Sequence, residues 1–201
     1  MAWALLEAAA LSGQERFRRA AQDAMAYERS LFSAEAGNWP DLRPPQTPGQ
    51  EPRAGQNRFM TAWCHGASGI GLARLQALQH LEDPEIRDEI NTALKTTLVQ
   101  GFGGTHCLCH GDLGNLELVL QAASALSDHP CHAYIGELCS GVVQSIERHG
   151  WLCAVPLQVE TPGLMLGLAG IGYGLLRLAE PDRVPSVLLL EPPRTGWELQ
   201  K

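Results

Sequence analysis

A chain of 201 residues is long enough to bury one medium-sized core. Hydrophobic residues make up 45% and charged residues only 18%, below the usual quarter, so much of the surface is expected to face other protein. The net charge is −7 and the 15 basic residues form no stripe, which argues against nucleic acid or an anionic membrane as partner.

The opening stretch MAWALLEAAALSGQ has no positively charged start, and Glu7 breaks its apolar run, so it does not read as a signal peptide. No apolar run reaches the ~18 residues of a membrane span. The expected location is the cytoplasm. There, six cysteines point to metal or catalysis rather than to disulfides. Three of them, Cys131, Cys139 and Cys153, lie in or beside apolar segments and read as buried thiols.

In chain order, the first predicted helix is short and alanine-rich, over about residues 2–10. Ser12 and Glu15 have the spacing of a capping box for a second helix running to about Phe32. The polar, proline-rich stretch 35–58 reads as a long loop, anchored at Trp39-Pro40-Asp41 and mobile over 44–57. A third helix is expected over 66–80, with small residues early and leucines later. Asp83 and Pro84 supply the cap and first position of a fourth, ending near Gln100. Further helices are expected over 111–127, 130–148 (stopped by Gly150) and 167–179 (stopped by Pro181). The tail, 182–201, reads as irregular, with SVLLLEPP as an extended piece, and the fold class is all-α.

A repeat underlies this order. Gly66 and Gly69 align with Gly111 and Gly114, and again with Gly167 and Gly170, at spacings of 45 and 56 residues. That period fits helical hairpins stacked side by side, with glycines where chain segments converge too closely for side chains. The first two units carry Cys64-His65 and Cys109-His110 just ahead of these glycines, whereas the third carries Met165-Leu166. The scaffold therefore needs the glycines everywhere and the chemistry needs its ligands in two units only.

Equivalent positions of neighbouring units face a common axis, so Cys64 and Cys109 should approach one another. Two thiolates and one imidazole make a Cys₂His zinc set. The spacing does not choose between His65 and His110. Only three ligands come naturally, which leaves a position for water or substrate. His106 and Cys107, an inverted pair just upstream, read as loop residues. Two anionic thiolates leave the ion a modest Lewis acid but a good holder of a third thiolate, so the residues lean towards thiol alkylation.

The segments WCHGASGIG, LCHGDLGN and GLMLGLAGIGYGLLRL, with AYERSLF (26–32) and NWPDLR (38–43), resemble the cyclase part of lanthipeptide synthetases. The likeness is to the LanC-like fold, and within it to the C-terminal domain of the bifunctional class II (LanM-type) enzymes. It implies an α/α toroid, an inner and an outer ring of helices, present here as a partial toroid of about three hairpins. It implies Zn2+ held by Cys64, Cys109 and His110, with the open position taken by a cysteine thiol of a precursor peptide. Addition of that thiolate to dehydroalanine or dehydrobutyrine would give a lanthionine or methyllanthionine ring.

By the same resemblance, His65 is the candidate for substrate orientation or proton transfer. Asp112 is a candidate to hydrogen-bond the imidazole of His110, or else a cap for the helix that starts there. Tyr27, Glu28, Asp41 and Arg43 are candidates for the substrate groove. Residues 1–201 would correspond to the C-terminal part of a cyclase domain. The implied partners are a dehydrated precursor peptide, an upstream cyclase half and a dehydratase domain, in cis or in trans. Two other readings compete: addition of a different thiol to a dehydrated residue, and an incomplete or inactive fragment with a structural zinc. A sugar-processing toroid would need paired carboxylates at its centre, and Asp112 alone in the motifs does not supply them.

Overall fold

The computed structural model describes residues 2–43, 58–126 and 129–192. The chain divides into two compact units, Met1–Gly101 and Phe102–Lys201. Among the described residues the regular structure is helical, and β pairing is confined to two isolated bridges, Ser33 with Asn38 and Pro40 with Phe59. The helices pack as hairpins, as the all-α reading requires.

In the first unit, α1 (Ala2–Ser12) packs on α2 (Glu15–Ser30) and α3 (Ala67–Ala77), and α3 packs on α4 (Pro84–Gln100). Helix α4 shows why such a segment is helical. Asp83 accepts the Glu85 N–H at 2.9 Å, Pro84 occupies the first turn, and Ile86, Ile90, Ala93, Leu94 and Thr97 bury one face. Each of its two buried isoleucines contributes on the order of 2 kcal/mol. Arg74 of α3 is 0% exposed and reaches Glu28 of α2 and Glu89 of α4, each at 2.8 Å. Arg29 adds bonds to Asp83 (2.7 Å) and Glu89 (3.0 Å), so charged groups join α2, α3 and α4.

The predicted capping box does not form. Ser12 is still the last residue of α1, where its hydroxyl donates to the Ala8 carbonyl at 2.5 Å. Gly13, at φ +66°, breaks the chain after it, so Gln14 becomes the N-cap of α2, with no side-chain cap.

In the second unit, α5 (Asp112–Ala125) packs on α6 (Ile135–His149) and α7 (Leu168–Ala179), and a 3-10 turn at Pro130–Tyr134 leads into α6. Helix α5 is buried almost all round, through Leu113, Leu116, Leu118, Val119 and Ala122, as expected of a central helix. Helix α6 is amphipathic and fully buries only Val142. The buried pair Glu117–Arg177 links α5 to α7 at 2.6 and 2.9 Å. Arg177 also donates to the Pro181 carbonyl at 3.4 Å, and Tyr173 to that of Pro185 at 2.8 Å, fastening the chain beyond α7. SVLLLEPP is not extended where it is described. Val187–Leu189 is a 3-10 turn that buries Leu188 and Leu189, because apolar contact is reached by a compact turn rather than by strand pairing. Residues 44–57 and 193–201, over which the loop and tail were expected to run, lie outside the described residues.

The repeated glycines have one physical cause. A Cβ at Gly69, Gly114 or Gly170 would overlap the carbonyl oxygen of the residue six earlier: Trp63, Leu108 and Leu164 respectively. Gly66, Gly111 and Gly167 bear the same relation to Met60, Thr105 and Thr161. In every unit, then, the loop before the helix folds back across the helix start. That crossing also satisfies helix N–H groups that lack intrahelical partners: Gly69 donates to Ala62 O at 3.1 Å and Gly114 to Cys107 O at 3.3 Å.

Candidate metal centre

The loops crossing α3 and α5 carry the two Cys-His pairs. In the first, Ala62 and His65 exchange backbone bonds of 3.0 and 3.3 Å, making a tight turn around Trp63 and Cys64. In the second, the Cys109 N–H donates to Met165 O at 2.9 Å, so its backbone pairs with the equivalent position of the third repeat. Cys107, fully buried, accepts from the His110 N–H at 3.4 Å and from the Thr105 hydroxyl at 3.6 Å. His106 is also buried. Its Nδ1 accepts the Leu152 N–H at 3.1 Å, which leaves Nε2–H to donate to Ser145 Oγ at 2.9 Å. These two residues, read from sequence as loop, shape the loop that presents Cys109 and His110.

One ligand atom each from Cys64, Cys109 and His110 lies within 4.8 Å of the others, and all three residues are half-buried. His110 is the imidazole of that group. No disulfide involves any of the six cysteines. On a tetrahedral zinc, with Zn–S near 2.3 Å, two thiolates stand about 3.8 Å apart. Two soft sulfurs and one imidazole suit zinc in kind as well. The three residues form a candidate tridentate metal site.

His65 lies elsewhere. Its Nε2 stands 3.8 Å from Asp41 Oδ1, and its Nδ1 is buried with no hydrogen-bond partner. Burial, helped by nearby Arg43 and opposed by Asp41, pushes the imidazole below its usual pKa. Hydrogen bonds from the Arg43 side chain, at 2.9 and 2.7 Å, hold the Asp41 carboxyl far below the usual carboxylate range, and the Arg43 N–H adds to them. Arg58 stands 3.7 Å from the same carboxylate. Asp41, Arg43, Arg58 and His65 thus form one charged cluster in the first unit.

The remaining sequence candidates have structural partners. The Asp112 carboxylate accepts N–H bonds of 3.1 Å from Gly103 and Gly104 rather than capping α5. Its burial raises the pKa, opposed by those donors and by His106. Glu28 is the partner of buried Arg74, and Tyr27 is 59% exposed on α2. Sequence reasoning gave no role to Asn38, which is 0% exposed and bonded to both the Cys64 loop and the start of α3. Its only signal was its place in NWPDLR.

Among the described residues no helix is long and apolar enough to cross a membrane. Comparison with known proteins bears on the same residues. The chain is 29% identical over 144 residues to the Lacticin 481/lactococcin biosynthesis protein LcnDR2 of Lactococcus lactis subsp. lactis. That alignment covers 65% of this chain and 16% of the relative, so the chain spans only a small part of that protein. The model of the Lanthionine synthetase C-like protein family matches residues 1–189. With nearly the whole described chain inside that match, and the three candidate metal ligands within it, the protein belongs to the lanthionine synthetase C-like family.

Proposed function

We propose that this chain is the zinc-bearing C-terminal part of a LanC-type cyclase. It forms lanthionine or methyllanthionine by adding a peptide cysteine thiolate to dehydroalanine or dehydrobutyrine. The observation that carries the reading is the meeting of Cys64, Cys109 and His110 within 4.8 Å. Family membership supports the α/α toroid as the architecture the hairpins belong to.

Zinc held by these three residues would bind the incoming thiol and keep it a nucleophilic thiolate near neutral pH. Cys107, a further soft donor close by in sequence, already takes the His110 N–H and the Thr105 hydroxyl, which favours a position left for substrate over a closed structural site. Addition forms an S–C bond at the β-carbon and an enolate that takes a proton at the α-carbon, so peptide mass is unchanged. His65 is the group we assign to that proton. Its Nε2 stands 3.8 Å from Asp41 Oδ1, and general acid help of this kind is worth about 10²–10⁴-fold. Asp41, Arg43 and Tyr27 stand as candidates for contact with the peptide. A further cyclase segment and a dehydratase, in cis or in trans, are the partners that would supply the rest of the ring and the dehydrated substrate.

The test is a purified sample incubated with a dehydrated, cysteine-containing peptide, scored for loss of reactive thiol at constant mass. The reading requires that Cys109→Ala removes both bound zinc and cyclisation, and that His65→Asn slows cyclisation at least 100-fold with zinc retained. Unchanged zinc content in Cys109→Ala, or an unchanged rate in His65→Asn, would remove the respective assignment.

A further inference from the structure

In the second and third repeats the first N–H of the helix closes the preceding loop directly. Asp112 N–H donates to Thr105 O at 2.8 Å, and Leu168 N–H to Thr161 O at 2.7 Å, each seven residues back. By the same register, Ala67 N–H should reach Met60 O. It does not. Ala67 N–H donates instead to Asn38 Oδ1 at 2.8 Å, and Asn38 Nδ2 donates onward to Met60 O at 3.4 Å and Thr61 Oγ1 at 3.1 Å. The Asn38 amide is inserted into the loop closure as a two-ended bridge.

The backbone shows the same insertion. Gly111 and Gly167 are extended, at φ −123° and −134°, whereas Gly66 is turned to φ +79°. A Cβ at Gly66 would come within 2.9 Å of Asn38 Oδ1. The bridge is also fully satisfied: Oδ1 takes a second N–H from Trp39 at 2.8 Å, and no part of the residue is exposed. Its own segment is held in turn. The Pro40–Phe59 bridge and the Asp41 N–H to Arg58 O at 2.8 Å fix residues 40–41 against 58–59, while the Ser33–Asn38 bridge and the Thr96 hydroxyl on Gly37 O at 2.6 Å hold the segment to residue 33 and to α4.

We propose that Asn38 is the positioning residue for Cys64, setting the loop 60–66 so that the Cys64 thiolate reaches the metal. The inference rests on the zinc reading above, and it explains why the first repeat needs a remote side chain where the other two close on themselves. A metal site tolerates only about 0.2 Å of error in each ligand distance, and loss of a supporting contact typically costs 10–100-fold in affinity. A loop that lost its bridge to the helix start would move Cys64 by more than that tolerance.

The test uses cobalt(II) as a coloured stand-in for zinc, since thiolate-to-cobalt charge-transfer absorption reports how many sulfurs are bound. Cys64→Ala sets the one-thiolate level. Asn38→Ala is expected to bind cobalt at least tenfold more weakly than wild type and to fall to the same level. Asn38→Asp keeps the size and the acceptor while losing the donor end; it is expected to fall likewise, and it serves if the alanine variant does not fold. Leu6→Ala, a core truncation in α1 that lowers stability and replaces no group of the Asn38 bridge, is expected to keep the two-thiolate signal. A two-thiolate spectrum with affinity within threefold of wild type in either folded Asn38 variant would overturn the proposal. Two-thiolate absorption in Cys64→Ala would instead overturn the zinc reading itself, so the two failures are distinguishable.

Discussion

The glycine crossing makes opposite predictions for two chemically identical substitutions. In Gly114→Ala the new Cβ would stand 2.8 Å from the carbonyl carbon of Leu108 and closer still to its oxygen. Carbon atoms in good contact sit at about 3.5 Å or more, so the loop must retreat by at least 0.7 Å or so. The obstacle is backbone, which has no rotamer to change. Overpacking of this kind costs about 1–3 kcal/mol, and a backbone obstacle belongs at the upper end. Alanine's better helix propensity returns about 1 kcal/mol, which leaves a net loss near 2 kcal/mol.

Gly141 lies exposed within α6, and a Cβ there meets nothing within 4 Å. Gly141→Ala should therefore gain about 0.5–1 kcal/mol, placing the two variants about 3 kcal/mol apart. Urea unfolding followed by circular dichroism reads both. The Gly114 variant carries a second consequence: Cys109 follows Leu108 directly, so a 0.7 Å retreat exceeds the tolerance of a metal ligand severalfold. Zinc affinity should fall at least tenfold in Gly114→Ala and stay unchanged in Gly141→Ala. If Gly114→Ala unfolds within 0.5 kcal/mol of wild type and binds zinc normally, the close crossing is not what the glycines are for.

Three more outcomes follow from particular contacts. Arg74→Met would take the buried partner from Glu28 and Glu89, of which Glu89 keeps Arg29, and should cost about 1–3 kcal/mol by urea unfolding; a loss under about 0.5 kcal/mol would mean that the pair adds little. His106 is held below its usual pKa chiefly by burial, with His149 adding to the effect and Asp112 opposing it, so the unfolded chain takes up the proton first. The stability of metal-stripped protein should then decline as pH falls below about 6.5, with a shallower decline in His106→Asn; parallel pH profiles for the two would contradict this. Zinc at about 100 times its dissociation constant should add about 2.7 kcal/mol, raising the melting temperature reversibly to chelator, and His110→Ala should abolish the difference as measured by calorimetry.

Much of the local structure was legible because its causes are local. Asp83-Pro84 starts α4 by a cap and a fixed φ that need no tertiary partner, and Gly150, at φ +73°, stops α6 for the same kind of reason. The repeat was legible too, since a crossing that excludes a Cβ admits only glycine, and it recurs at Gly69, Gly114 and Gly170. What stayed open depended on groups distant in sequence, whereas the failed cap had a local cause. Ser12 had the spacing of a cap, but α1 continued through it.

The sequence by itself determined that the chain is helical, that it repeats, and that two of its repeats carry soft metal donors, because periodicity, caps and glycine spacing are written in neighbouring residues. Only the tertiary structure grouped Cys64, Cys109 and His110 as a candidate metal site, set His65 beside Asp41, and bridged the Cys64 loop to α3 through Asn38. These choices turn on the direction of single side chains across long stretches of sequence, and spacing carries no information about that.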